Sequence, residues 1–128
     1  MRKHKLPKPT EAELQILQVL WEHGPSTVRF VNERLNQRRE VGYTTTLKLM
    51  QIMAGKGLAA RDTSSRTHIY RAVLQEEDAR TTLMEQLVQG AFRGSAMQLV
   101  MQALGNHKAS REELSAIKDL IRKMEEEE

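Results

Sequence analysis

Residues 42–58 read GYTTTLKLMQIMAGKGL, and the reading of this stretch decides the fold. Thr46, Leu49, Met50 and Met53 recur at i, i+3, i+4 and i+7, the spacing of one buried helical face. Tyr43 or Thr44 stands where an N-cap belongs, and Gly57 supplies the left-handed residue that stops a helix. Thr44, Thr45 and Thr46 are β-branched and mediocre helix formers, so three together need a reason beyond propensity. The opposite face carries Thr44, Thr45, Lys48 and Gln51: hydroxyls, an ammonium and an amide, the groups that contact phosphates and base edges. A strand–turn–strand pattern follows, from Leu58 to Asp62, a polar tip from Thr63 to Thr67, then His68 to Val73. A helix followed by a basic hairpin is the order of recognition helix and wing in a winged helix-turn-helix. A small core helix before an ordinary hairpin is the competing reading of the same residues.

Upstream, Thr10-Glu11-Ala12-Glu13 has capping-box spacing, and Leu14, Leu17, Leu20 and Trp21 then share a face. His23-Gly24-Pro25 ends that helix. Ser26 can cap a second, in which Val28, Val31 and Leu35 recur at i, i+3 and i+7 and which runs out in the charged turn Asn36–Glu40. Three short helices and a hairpin within roughly 65 residues match the winged-helix order, with the third helix in the recognition position. Ahead of them Met1–Pro9 reads as an arm: Pro7 and Pro9 forbid regular helix, and its four cations suit phosphates as well as solvent.

Downstream the pattern turns wholly helical. Glu76-Glu77-Asp78 places three carboxylates in a first turn, where the helix dipole favours them. Leu83, Leu87 and the run to Phe92 form an apolar stripe that Arg93-Gly94-Ser95 interrupts. A shorter helix is expected over Ala96–Leu104, a loop over Gly105–Ala109, and a second capping box at Ser110-Arg111-Glu112-Glu113. The last helix carries Leu114, Ile117, Ile121 and Met124 as a seam for a partner helix, and Glu125–Glu128 is expected to fray. Three amphipathic helices in so short a segment cannot close a core, so pairing with a second copy is expected.

Charge divides the chain in the same place. Residues 1–74 hold 13 Lys/Arg against 6 Asp/Glu, net +7, and residues 75–128 hold 7 against 11, net −4. The expected architecture is therefore mainly α with a small β-hairpin wing: a DNA-binding domain over 1–74 and a helical dimerisation domain over 75–128. The candidate DNA contacts are Thr44, Thr45, Lys48 and Gln51 in a groove, with Arg61 and Arg66 reaching backbone from the wing.

These residues also carry a family resemblance. Thr10-Glu11-Ala12-Glu13, Leu20-Trp21, Thr27-Val28, Tyr43-Thr44-Thr45, Lys56-Gly57-Leu58 and Tyr70 stand in the order seen in the BlaI/MecI/CopY family of bacterial repressors. The resemblance implies a transcriptional repressor that binds a dyad-symmetric double-stranded DNA operator as a homodimer. It implies a regulatory protease as a further partner in the penicillinase branch, where an Asn-Phe bond is cut. The corresponding place here is Gln102-Ala103, a departure that puts cleavage by that route in doubt. The copper-sensing branch uses cysteines near its C-terminus, and this chain has none.

Other chemistries find no support. Without Cys there is no disulfide, thiolate nucleophile or Cys-based metal site. His4, His23, His68 and His107 are scattered, with no ligand spacing between them, and no phosphate-cradling or dinucleotide glycine motif occurs. No catalytic, cofactor-binding or metal-binding residues are expected. No run approaches the ~18 apolar residues of a membrane span, and the basic start lacks a signal-peptide core, so a cytoplasmic protein without a membrane partner is expected. The competing functional class is an adaptor whose winged helix binds protein instead of DNA; the basic excess of the first half speaks against it.

Overall fold

The computed structural model describes residues 7–127. The expected arm over Met1–Pro9 thus lies outside the described residues as far as residue 6. The order of elements is α1 (Glu11–His23), β1 (Ser26–Thr27), α2 (Val28–Asn36), α3 (Tyr43–Lys56), β2 (Ala59–Asp62), β3 (Ile69–Ala72), α4 (Glu76–Ala91), α5 (Ala96–Asn106) and α6 (Arg111–Glu126). Two compact units divide the chain, one up to Glu85 and one from Gln86, so the division falls within α4.

In the first unit, α1, α2 and α3 pack around Ile16, Leu17, Leu20, Val31, Met50 and Met53, with Leu58 and Tyr70 closing the core from the sheet. The first helix departs from expectation in one respect. Its buried side chains are Glu13, Ile16, Leu17 and Leu20, while Leu14 stays half-buried, because Glu13 has a partner inside the fold. The capping box at Thr10 forms as expected, with Glu13 N–H donating to Thr10 Oγ1 at 3.2 Å and Thr10 N–H donating to Glu13 Oε1 at 2.9 Å.

The hairpin gains a third strand. β1 pairs antiparallel with β3 through Ser26↔Tyr70 and Thr27↔Ile69, giving the strand order β1-β3-β2. Ser26 consequently does not cap α2. Its hydroxyl donates to the Gly24 carbonyl at 2.8 Å, and Thr27 is the cap, accepting from Phe30 N–H at 3.1 Å. Trp21 Nε1–H donates to the Leu74 carbonyl at 2.9 Å and ties the end of the hairpin to α1.

Within the second unit the helices are well formed and most of its apolar side chains are exposed, with Phe92, Leu99 and Ile117 half-buried. The Ser110 capping box is complete. Arg93 and Gly94 both take positive φ, 51° and 85°, where the stripe was expected to break. Two boundaries move. α5 continues through Gly105 to Asn106, closed by His107 N–H on the Ala103 carbonyl at 3.1 Å, since one glycine in a last turn costs only about 1 kcal/mol. α6 continues through Glu125 and Glu126 instead of fraying at Glu125. Val88 is buried, whereas Met97, Met101, Leu120, Ile121 and Met124 are all more than half exposed.

Candidate nucleic-acid interface

The functional surface is built on α3, whose two faces differ as its sequence does. Thr46, Met50 and Met53 are buried, Leu49 is half-buried, and Thr44, Thr45, Lys48 and Gln51 are all exposed. The helix stops at Gly57, whose φ of 84° is left-handed. Its start differs from expectation: Gly42 is the N-cap, no side chain caps the first turn, and Tyr43 and Thr44 are already helical.

The threonine run has a structural reason at one of its three positions. Thr46 Oγ1 accepts from Asn32 Nδ2–H of α2 at 2.8 Å, and Asn32 also donates to the Val41 carbonyl at 3.1 Å. Asn36 completes the lock, donating to the Val41 carbonyl at 2.9 Å and accepting from Val41 N–H at 3.2 Å. Two asparagines thus satisfy the polar backbone of the turn between α2 and α3 and hold the start of α3 against α2. Thr44 and Thr45 have no such duty and face outward.

The other end of α3 is held by charge. Lys56 Nζ donates to Glu13 Oε1 at 2.8 Å and to Oε2 at 3.0 Å. Burial works against a charge on Glu13, yet the Lys56 ammonium and the Thr10 N–H outweigh it and hold the carboxyl below its ordinary value of 4.5. Among the described residues this is the one ion pair that joins distant elements; the others link residues within four positions.

A groove opens beside the first turn of α3. Thr27, Val28 and Arg29 from α2 and its cap, Tyr43 and Leu47 from α3, and Arg66, Thr67, His68 and Tyr70 from the wing line about 540 Å³. Of the expected wing cations, Arg66 lies here, together with Arg29 and His68. Arg61 stands in β2 opposite Tyr70, so the two side chains share a face of the sheet, while Arg71, paired with Ala60, leaves on the other. At the wing tip Ser64 N–H donates to Asp62 Oδ1 at 2.9 Å, which holds the pKa of that exposed carboxyl below its ordinary value and pins the turn.

Sequence reasoning missed Arg29, Tyr43, His68 and Ile52. The first three gather in the groove only through packing of α2 against the wing. Ile52 is 43 % exposed on the outer side of α3, one turn beyond Lys48. An apolar β-branched residue off the buried period was the available signal for it.

The fold and this surface define a class: a winged helix-turn-helix module whose third helix presents polar and cationic side chains beside a basic groove. A family model described as penicillinase repressor matches residues 9–123. The chain is 33 % identical over 93 residues to the transcriptional regulator BlaI of Mycobacterium tuberculosis, covering 71 % of this chain and 67 % of that protein. It is 20 % identical over 117 residues to the penicillinase repressor of Bacillus licheniformis, covering 91 % of each. The solution structure of the monomeric form of Bacillus licheniformis BlaI in complex with the blaP half-operator aligns with a TM-score of 0.50 at 23 % identity, over 58 % of this chain and 90 % of that one. This likeness shows the winged-helix fold. The chain belongs to the penicillinase repressor family, a family of DNA-binding transcriptional repressors and not of enzymes.

Proposed function

We propose that two copies of the chain, joined through residues 75–128, repress transcription by occupying a dyad-symmetric operator in the cytoplasm. Residues 1–74 are the DNA-binding part. Thr44, Thr45, Lys48 and Gln51 meet base edges in the major groove, and Ile52 adds an apolar contact suited to a thymine methyl. Arg66, with Arg29 and His68 across the basic groove, takes backbone phosphates, as does Arg61 from the wing. Leu114, Ile117, Ile121 and Met124 form the seam with the second copy. The single observation that carries this reading is the division of α3 into a buried face and an outward polar face beside that groove.

The monomeric form of Bacillus licheniformis BlaI in complex with the blaP half-operator bears on the same reading: a monomer on a half-operator is what one half of such a complex would be. Release by a regulatory protease belongs to the same reading, without an assigned bond. Gln102-Ala103 lies within α5 and is exposed, but it is not the Asn-Phe bond expected of the penicillinase branch.

Gln51→Ala and Arg66→Ala test the assignment. A bidentate glutamine–adenine contact discriminates by ~1–3 kcal/mol, so Gln51→Ala lowers affinity for the operator more than for random duplex. Arg66→Ala lowers both alike and flattens the salt slope by about one unit. An unchanged ratio of the two affinities in Gln51→Ala removes it from the base-reading set. Equal affinity for an isolated half-site and the full inverted repeat removes the dimer as the reading unit.

A further inference from the structure

The recognition face is only as precise as the helix that carries it, and α3 is held at its two ends by different chemistry. Near its start, Asn32 grips Thr46 at 2.8 Å. At its last residue, Lys56 is gripped by a carboxylate from α1 at 2.8 and 3.0 Å. That carboxylate is 2 % exposed and also accepts from Thr10 N–H at 2.9 Å, so its position is set by the first turn of α1 before Lys56 reaches it. The Lys56 side chain is 40 % exposed and approaches from solvent.

A buried ion pair is a weak device for stability, since the cost of desolvating the ions offsets much of their attraction. Its strength is geometric: two charge-assisted hydrogen bonds hold one ammonium in a narrow range of positions. The geometry matters here because a helix is a lever. Ten residues separate Thr46 from Lys56, about 15 Å at ~1.5 Å per residue, so a tilt of roughly 4° about Thr46 moves the far end by about 1 Å and Gln51, midway, by about 0.5 Å. Base-edge hydrogen bonds are made within a window of about 0.5 Å.

We propose that Glu13 and Lys56 are positioning residues for DNA recognition: their ion pair fixes the tilt of α3, so that Gln51 reaches its base edge in register. Neither residue needs to touch DNA for this. The inference rests on the DNA-reading role proposed above. It assigns to Glu13, an acidic residue within a basic module, a part in selectivity.

Charge separates this from a general electrostatic effect. Glu13→Gln makes the protein more positive by one unit, and electrostatics alone would then tighten its hold on any duplex. Loss of the brace acts in the opposite sense, and only on the sequence that is read.

The experiment uses the full chain and a duplex that the wild type selects from a randomised pool, with a scrambled duplex of equal length as reference. Both affinities are measured by anisotropy at one salt concentration, and Trp21 fluorescence confirms that each variant is folded. In Glu13→Gln the ratio of selected to scrambled affinity falls about tenfold, within the range one base contact discriminates, while scrambled affinity holds or rises. Lys56→Arg keeps a cation within reach of the carboxylate and keeps the ratio within about twofold. Lys56→Met loses it. If Glu13→Gln does not fold, the double variant Glu13→Gln/Lys56→Met, which buries no unpaired charge, is read in its place. An unchanged ratio in a folded variant, or an equal fall in both affinities, overturns the inference and leaves the pair a purely structural contact. Failure of the wild type to select any duplex overturns the DNA-reading role itself, and this inference with it.

Discussion

The two compact units of this chain put their helices to opposite uses. In the first, Ile16, Leu17, Val31, Met50, Met53, Leu58 and Tyr70 are almost fully enclosed, and three helices share a three-stranded sheet. In the second, Val88 is buried, but of the side chains expected to form a seam Leu114, Ile121 and Met124 are 42, 51 and 59 % exposed, and Ile117 is half-buried. A complete capping box opens a helix in each unit, α1 in the first and α6 in the second, so the difference does not lie in how helices start. It lies in what the apolar faces find to cover them within one chain. A β-strand and a neighbouring helix complete the first core, whereas α5 and α6 leave apolar area that water penalises at about 25 cal/mol per Å². The contrast teaches that the first unit encloses its own core, and the open faces of the other are what the proposed pairing with a second copy would cover.

The aromatic residues make that contrast measurable. Trp21, Tyr43 and Tyr70, the only Trp and Tyr of the chain, all lie before residue 86, so near-ultraviolet signals report the first unit and far-ultraviolet helicity reports both. The largest effect is expected for Ile121→Asp. A carboxylate in the proposed seam costs several kcal/mol of association, so sedimentation at micromolar concentration shows a monomer while the Trp21 signal is preserved. A wild-type chain that sediments as a monomer breaks the comparison outright. Leu17→Ala probes the other side: emptying a fully buried leucine site costs about 2–5 kcal/mol and lowers the Trp21 melt at any protein concentration. A concentration-dependent loss there shows that the first unit is not self-sufficient.

Smaller effects sharpen the picture inside the first unit. Glu13 is held below its ordinary value of 4.5 in the folded protein, so its ion pair contributes stability that is present above that value. This stability is lost as pH falls through the lowered folded value, because the unfolded chain then binds the proton more readily. Acidification below 4.5 should therefore steepen the fall in the Trp21 melting temperature, and Glu13→Gln should remove that component. An identical acid limb in wild type and variant rules Glu13 out as its source. The smallest effect is expected at Tyr70. Its ring is fully buried and its hydroxyl has no hydrogen-bond partner among the described residues, so Tyr70→Phe removes an unsatisfied group and should raise stability by up to about 1 kcal/mol. A loss of more than about 1 kcal/mol would reveal a bridging water there.

Much of the fold follows from the sequence because its signals act over one or two helical turns. The capping boxes at Thr10 and Ser110, the stop at Gly57, the period of Val28, Val31 and Leu35 and the polar tip between β2 and β3 are all local, and each stands where the residues put it. The outward set Thr44, Thr45, Lys48 and Gln51 was legible for the same reason, since helical period alone separates it from Met50 and Met53. Tertiary structure decided the rest. β1 is two residues long and exists only because β3 lies beside it, which no periodicity announces. Leu14 gave way to Glu13 in the interior because the ammonium of Lys56, 43 residues away, neutralises a charge that α1 alone could not bury. Arg29, Tyr43, His68 and Arg66 come together only when α2 and the wing close on the same groove. Local order is set by neighbours within reach of one hydrogen bond, while the partners of a buried charge and the membership of a groove are set by which distant surfaces meet.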